Sequence, residues 1–391
     1  MSKIAVICES SPFDRKGLFT SVHNRVKGLI DSGKCQVDVY CIQSSDNAFT
    51  GKIRHRKPVS RVKTVDVDGV RYNMLWYRFS LIDYLLFDCM SVEPLFFRRF
   101  MQSVVKKLSG YDVISAHSFT GGLIAKEVYI STGTPYFVTW HGSDVHTHPF
   151  RNSLQMQQTK VIMQNARCNF FVSKALLDAS FRITDDSAVA REVLYNGVSQ
   201  DFVRYSDQAR AELRVAKGVT LGAKVVTFAG NLCQVKNVRM LAPIFKTVYD
   251  SYDGNLQFWI IGDGKMRAAV EADVAEASID GVRFWGNIHS SEMPAMMNCT
   301  DVLVLPSVNE GLPLVCLEAI NCGANAVGSA VGGIAEVVGS DNAIPLGEGF
   351  VEGLSQKILQ MLKHPENQSV PVEMSWENAS RIELDHILST K

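Results

Sequence analysis

The sequence predicts an α/β protein made of two doubly wound domains, each built on a parallel sheet. Three observations carry that expectation. Short apolar runs alternate with helix-like stretches along most of the chain, which is the pattern of strand–helix–strand units. The alternation starts afresh after Asn196-Gly197, a turn dipeptide that marks a join. And 391 residues are more than one hydrophobic core commonly organises. The expected division is a first domain over 1–200, rejoined by a C-terminal helix over 376–391, and a second over 201–375.

In the first domain KIAVIC (3–8) reads as a buried strand, and a helix-like stretch over 18–30 ends at Ser32-Gly33. VDVYC (37–41) is the next strand. Residues 62–78 alternate like a hairpin turning at Asp68-Gly69. DVISA (112–116), YFVTW (136–140), CNFFVS (168–173) and EVLYN (192–196) continue the series. The second domain offers VVTFA (225–229), QFWII (257–261), VRFW (282–285), VLVL (302–305) and ANAV (324–327) as strands. Helical patterns follow over 237–251, 264–277, 290–299, 313–322 and 351–364. Pro313 suits a helix's first turn, where its missing N–H costs nothing, and Gly323 can end that helix. A polar stretch over 364–373 precedes a last helix over 376–388.

Composition narrows the function classes. Hydrophobic residues make up 46% and charged residues 20%, the balance of a soluble globular protein. Forty basic and forty acidic residues cancel, so no global field favours nucleic acid. The nine cysteines are scattered and form no CxxC pair, which reads as small apolar fillers under reducing conditions. The run 1–8 lacks the apolar length of a secretory leader, and no apolar stretch is long enough to span a bilayer. A cytoplasmic protein is expected.

The chemistry gathers in NEGLPLVCLEAI (309–320). Glu310 falls in a strand-to-helix loop, and Glu318 more than a turn along the helix. Between them the N–H groups near Gly311 and Leu312 open a helix N-terminus, a natural anion site. Acceptors for sugar hydroxyls and donors for a phosphate thus share one loop. Acidic residues near helix starts are also ordinary dipole chemistry, so the spacing alone decides little. Other loops fall at neighbouring strand ends: GNLCQVKN (230–237), IGDG (261–264) and GGIAE (332–336). Gly230 lets backbone approach a ligand, and Lys236 supplies a cation.

These motifs together resemble the retaining glycosyltransferases of family four, the group 1 glycosyl transferases. The likeness is strongest over 225–340. It extends through DVISAHSFTGG (112–122), TWHGSD (139–144), FVSKAL (171–176), LYNGV (194–198) and SWENAS (375–380). The resemblance implies the GT-B fold: two Rossmann-like domains facing across a cleft, with the C-terminal helix crossing back to the first. It implies that Glu310 contacts the donor sugar, Glu318 the ribose, and Gly230, Asn231, Gly311 and Leu312 the sugar or diphosphate. Lys236 would balance the leaving diphosphate, His141 would face the transferring sugar, and His117 the acceptor. Two departures stand out. Asn231 occupies the place where the family has an arginine, and Glu9, Ser10 and Ser11 stand where paired glycines are usual, leaving Gly17 for the donor loop.

The implied partners are a nucleotide-sugar donor, with uridine diphosphate the best guess, and a saccharide or lipid-linked acceptor. No cofactor, no essential metal and no nucleic acid are expected. A literal DxD at Asp66–Asp68 sits inside the hairpin pattern and reads as turn chemistry. Residues 52–107 mix basic and aromatic side chains, which suits either a peripheral membrane contact or a solvated loop followed by a core helix. A nucleotide-sugar epimerase and a non-catalytic sugar-binding protein are the rival classes. A dinucleotide oxidoreductase is disfavoured, because no GxGxxG follows the first strand of either domain.

Overall fold

The protein is described by a computed structural model covering residues 1–13, 17–45, 61–78, 80–86, 92 and 95–390. It divides into two compact units, Met1–Asn196 with Ser375–Lys391, and Gly197–Met374. The sequence placed those boundaries at 200/201 and 375/376.

The first unit holds an eight-stranded sheet: β1 (Ser2–Cys8), β2 (Cys35–Ser45), β3 (Thr64–Val67), β4 (Val70–Arg78), β5 (Val113–His117), β6 (Tyr136–Trp140), β7 (Cys168–Phe171) and β8 (Arg191–Val193). The spatial order is β3-β4-β2-β1-β5-β6-β7-β8. All neighbours are parallel except β3 and β4, which form the expected hairpin. Its turn has positive φ at both Asp68 and Gly69, 47° and 83°, the combination that suits the twist of the flanking strands. The inner strands β5, β6 and β7 are buried at every residue, as parallel strands covered on both faces must be. The helix Gly17–Asp31 lays Phe19, Val22, Val26 and Leu29 into this core. The C-terminal helix Trp376–Leu388, capped by Ser375, adds Ala379, Leu384 and Ile387 to the same core. The two helices approach closely at Gly28, where a Cβ would lie 2.1 Å from Ser380 Oγ.

The second unit is a six-stranded parallel sheet: β9 (Lys224–Ala229), β10 (Leu256–Ile261), β11 (Val282–Gly286), β12 (Val302–Leu305), β13 (Asn325–Ser329) and β14 (Ala343–Ile344). Its order is β11-β10-β9-β12-β13-β14, so the winding reverses between β9 and β12. In open α/β sheets ligands bind beyond the strand ends at such a reversal. In the first unit the corresponding reversal lies between β1 and β5.

Several expectations are corrected in detail. Pro313 is extended (ψ 94°) and precedes the helix Leu314–Asn321, its carbonyl accepting the Cys316 N–H, so it caps the helix without joining it. Asn237 adopts a left-handed conformation, and a short 3-10 turn over Val238–Met240 delays the next helix to Leu241–Ser251. Strand β14 is two residues long, too short to leave a period in the sequence. Residues 52–60 and the side chains of Phe79, Tyr84, Phe87 and Phe96 lie outside the described residues. Within the rest of that region Tyr77, Phe97 and Phe100 pack on one another, and Trp76 donates to the Val62 carbonyl. Arg98, Arg99, Lys106 and Lys107 are exposed. Among the described residues no helix is long and apolar enough to cross a membrane.

Candidate active site

In the second unit the loops after β9 and β12 meet at the reversal of the sheet. Lys236 closes the first loop, its Nζ 2.5 Å from Glu310 Oε1 in the second. Ser307 Oγ donates to the same carboxylate oxygen at 2.6 Å, and Ser307 is itself held by its carbonyl, which accepts from Ser329 Oγ. The backbones are knitted as well: Val308 N–H donates to the Val235 carbonyl, and Gly333 N–H to the Gly311 carbonyl. Two glycines are required by close approach. At Gly262 (φ 121°) a Cβ would lie 2.0 Å from the Gly230 carbonyl oxygen. At Gly332 (φ 52°) it would lie 1.9 Å from that of Glu310. Asn231 leans its Oδ1 toward Gly264, where a Cβ would stand 2.5 Å away.

The helix Leu314–Asn321 starts just beyond Glu310. Gly311 and Leu312 donate to no backbone acceptor among the described residues. Glu318, one turn into the helix, is half-buried, and burial pushes its carboxyl up to about 7. No hydrogen bond to that carboxylate is made among the described residues. A desolvated carboxylate without donors is costly to keep charged, and hydroxyl groups from a ligand would relieve the cost. One edge of the unit therefore offers a paired cation, open N–H donors and an acceptor awaiting donors.

In the first unit His117 ends β5, and His141 follows β6 directly. Their rings stack at 5.3 Å, with His117 Nδ1 and His141 Nε2 3.1 Å apart in a hydrogen bond. Burial, then Arg25, push His141 down to about 3, and His117 falls well below its ordinary value for the same reasons with His141 added. Both imidazoles are therefore neutral at physiological pH. The His141 loop is fixed by Asp144, whose carboxylate accepts the N–H groups of His141 at 3.0 Å and Gly142 at 2.8 Å. His117 is only 1% exposed. His141 beside it is half-buried. Gly17 opens its helix with free space around its Cα.

Sequence reasoning missed what lies beneath the histidines. Arg25 and Glu383, each 1% exposed, form an ion pair with Nη2 and Nε 2.7 and 2.8 Å from one carboxylate oxygen. Each stands in an otherwise apolar helical stripe, Val22–Arg25–Leu29 and Ala379–Glu383–Ile387, and that interruption was the available signal.

Other features do not join the site. Asp66 pairs with Arg71 within the hairpin, and Asp68 lies 3.6 Å from His23 at its turn. Cys168, Glu192 and His386 bring ligand-type atoms within 4.8 Å of one another. There His386 Nε2 is spent on Glu192 at 2.6 Å, and burial pushes the thiol up to about 12. A crevice of about 590 Å³ lined by Arg239, Pro243, Lys246 and Asp273 contains none of the expected site residues.

Two doubly wound units with chemistry at their strand ends define the GT-B class. The fold of sucrose-phosphate synthase from Thermosynechococcus elongatus superposes with a TM-score of 0.73 at 17% identity, covering 100% of this chain and 94% of that one. Anabaena HepE, solved in complex with UDP and glucose, gives 0.69 at 16% identity over 100% and 97%. Residues 223–364 of the chain match the family described as Glycosyl transferases group 1. TuaC of Bacillus subtilis, whose name assigns it to teichuronic acid biosynthesis as a glycosyltransferase, is 23% identical over 266 residues. That alignment covers 67% of this chain and 65% of TuaC. The 2-deoxystreptamine glucosyltransferase of Streptomyces kanamyceticus is 32% identical over 146 residues, 37% of this chain and 38% of that protein. The chain thus spans less than two thirds of the length of these two relatives.

Proposed function

We propose that the protein transfers a sugar from a nucleoside-diphosphate sugar, a UDP-sugar in the first instance, to a saccharide or lipid-linked acceptor with retention at the anomeric carbon. The observation that carries this reading is the Lys236–Glu310 pair at the sheet reversal, beside open helix N–H donors. A diphosphate arriving there meets Lys236 and the N–H groups of Gly311 and Leu312. Drawing Lys236 away frees Glu310 to accept from sugar hydroxyls. Glu318 takes the ribose hydroxyls, and Gly230 and Asn231 line the diphosphate. Charge grows on the diphosphate as the glycosidic bond breaks, so a cation already in place favours the transition state over the ground state.

The departing phosphate oxygen accepts the acceptor's proton on the same face of the sugar, which passes through an oxocarbenium-like state. His141 is neutral, so it serves as a hydrogen-bond partner to the sugar and not as a fixed positive charge. Asn231 replaces a cation expected from the family, which leaves Lys236 with a larger share of the phosphate charge. The family resemblance suggests cell-surface polysaccharide synthesis as the process, and TuaC's name places that relative in teichuronic acid biosynthesis. The exposed Arg98, Arg99, Lys106 and Lys107 would favour an anionic membrane surface by roughly 1 kcal/mol per adjacent cation. Flotation with anionic vesicles tests that element, and indifference to lipid charge removes it.

The test of the central reading is a thermal-shift panel of nucleotides and nucleotide-sugars with Lys236→Ala and Glu310→Ala, alongside anomeric analysis of product. Lys236→Ala should lose nucleotide-dependent stabilisation while remaining folded. Glu310→Ala should keep nucleotide binding, its lysine now unpaired, and lose sugar transfer. If neither variant alters either measurement, the assignment fails. Conversion of the nucleotide-sugar itself without an acceptor would mark an epimerase instead.

A further inference from the structure

We infer that the buried Arg25–Glu383 pair is a positioning device for the His117–His141 pair, which makes the C-terminal helix part of the first unit's site. This rests on the reading of His141 as a sugar-facing residue.

The geometry is specific. Glu383 Oε2 accepts from Arg25 Nε at 2.8 Å and lies 2.7 Å from Nη2 as its ion-pair partner, while Glu383 Oε1 accepts from Ser115 Oγ at 2.5 Å. Arg25 Nη1 donates to Thr139 Oγ1 at 2.9 Å. Ser115 lies two residues before His117 on β5, and Thr139 two residues before His141 at the end of β6. Residues two apart on a strand face the same side. The pair therefore ties together β5 and β6, on the side of the sheet that carries His117 and just before the loop of His141. His117 and Thr139 are register partners across β5 and β6, so a shift of either strand would be felt by both rings.

A charged pair is an expensive way to attach a helix. Well-packed apolar residues of similar volume are often as stable or more so. Its position beneath the histidines gives it a second use. Arg25 is the charge nearest in effect to both imidazoles and opposes their protonation. The other charged groups around the loop are Glu383, bound to Arg25, Asp144, bound to the loop's N–H groups, and Glu9, which acts on Asp144.

The test is a set of variants read by imidazole NMR and by kinetics. The double variant Arg25→Met with Glu383→Leu removes both charges together and avoids leaving either one buried alone. Thr139→Val and Ser115→Ala each cut one anchoring bond and leave the ion pair in place, so they report even if the double variant does not fold. In the double variant both histidines should titrate at higher pH than in the parent. Turnover should fall about 10–100-fold, the effect of a small misplacement of a reacting group, while nucleotide-dependent stabilisation stays unchanged. Each single variant should reduce turnover by a smaller factor and shift the His117 or His141 resonances.

Loss of thermal stability with unmoved histidine signals and unmoved turnover would make the pair a structural clamp and overturn the inference. The NMR arm needs no substrate. Shifted histidines in a protein that transfers no sugar would uphold the positioning role and remove the transferase reading instead.

Discussion

Glu318 sets stability against binding at a single carboxyl. Burial raises it from an ordinary 4.5 to about 7. Because the folded value lies above the unfolded one, the associated stability is present below the unfolded value and is lost as pH rises through 7. Charging the group in the fold costs up to about 3 kcal/mol at pH 8. Glu318→Gln should therefore raise the melting temperature at pH 8 by several degrees and change it little at pH 4. Ribose hydroxyls would bond to the charged form, so parent affinity for a nucleotide should rise as pH passes upward through 7. In Glu318→Gln that affinity should be at least about 10-fold weaker and flat with pH, since a hydrogen bond to a charged acceptor is worth roughly 1.5–3 kcal/mol. Calorimetric titration at pH 6 and pH 8 measures both slopes, and equal slopes in parent and variant would rule the contact out. Glu318 was readable in the sequence from its place in the helix after VLVL. That no side chain among the described residues donates to it was not, because that depends on which side chains the fold brings to its side.

At the scale of elements, strands and their loops were legible because parallel strands here are buried on both faces and stand out as unbroken apolar runs. The Asp68-Gly69 turn and the final helix were legible from turn chemistry and period. Pro313 misled because a proline that fits a helix's first position also fits the residue before it. Arg25 and Glu383 were illegible singly, since each is one polar residue in an apolar stripe; only the fold shows that they answer each other. The loops' closeness was equally hidden. Gly332 turns with a positive φ of 52°, where a Cβ would meet the Glu310 backbone. Gly332→Ala adds a methyl where no space exists and strains a positive φ, so the loop carrying Glu310 must move. We expect a loss of about 1–3 kcal/mol in stability and at least a 10-fold loss of turnover. Gly110→Ala, with open space around it and no positive φ, should instead be neutral or slightly stabilising. Parallel denaturant melts and rate measurements on the two variants make the comparison. Equal behaviour of the pair would refute the close-approach explanation.

At the scale of the whole molecule, the first unit is discontinuous in sequence and the second is not. Residues 375–391 return to complete the first core, bringing Ala379, Leu384 and Ile387 together with the counter-ion of Arg25. Ending the chain at Met374 would remove the counter-ion of Arg25 together with the helix that covers it. Burying a Leu or Ile side chain is worth about 1.5–3 kcal/mol, so losing Leu384 and Ile387 with Ala379 costs several kcal/mol. Most of a domain's typical margin would be gone. The second unit owns its whole sheet and both halves of the Lys236–Glu310 site, so its response to nucleotide should survive the truncation. Ligand at about 100 times its dissociation constant stabilises the binding unit by about 2.7 kcal/mol. In scanning calorimetry the truncated chain should lose, or shift far downward, the transition of the first unit. It should keep a transition that nucleotide moves upward as in the full chain. Hydrogen exchange would assign each transition, with β1, β5 and β6 exposed early and β9 and β12 still protected by nucleotide. A truncated protein whose nucleotide response disappears together with the first core would show that donor capture is not a property of the second unit alone.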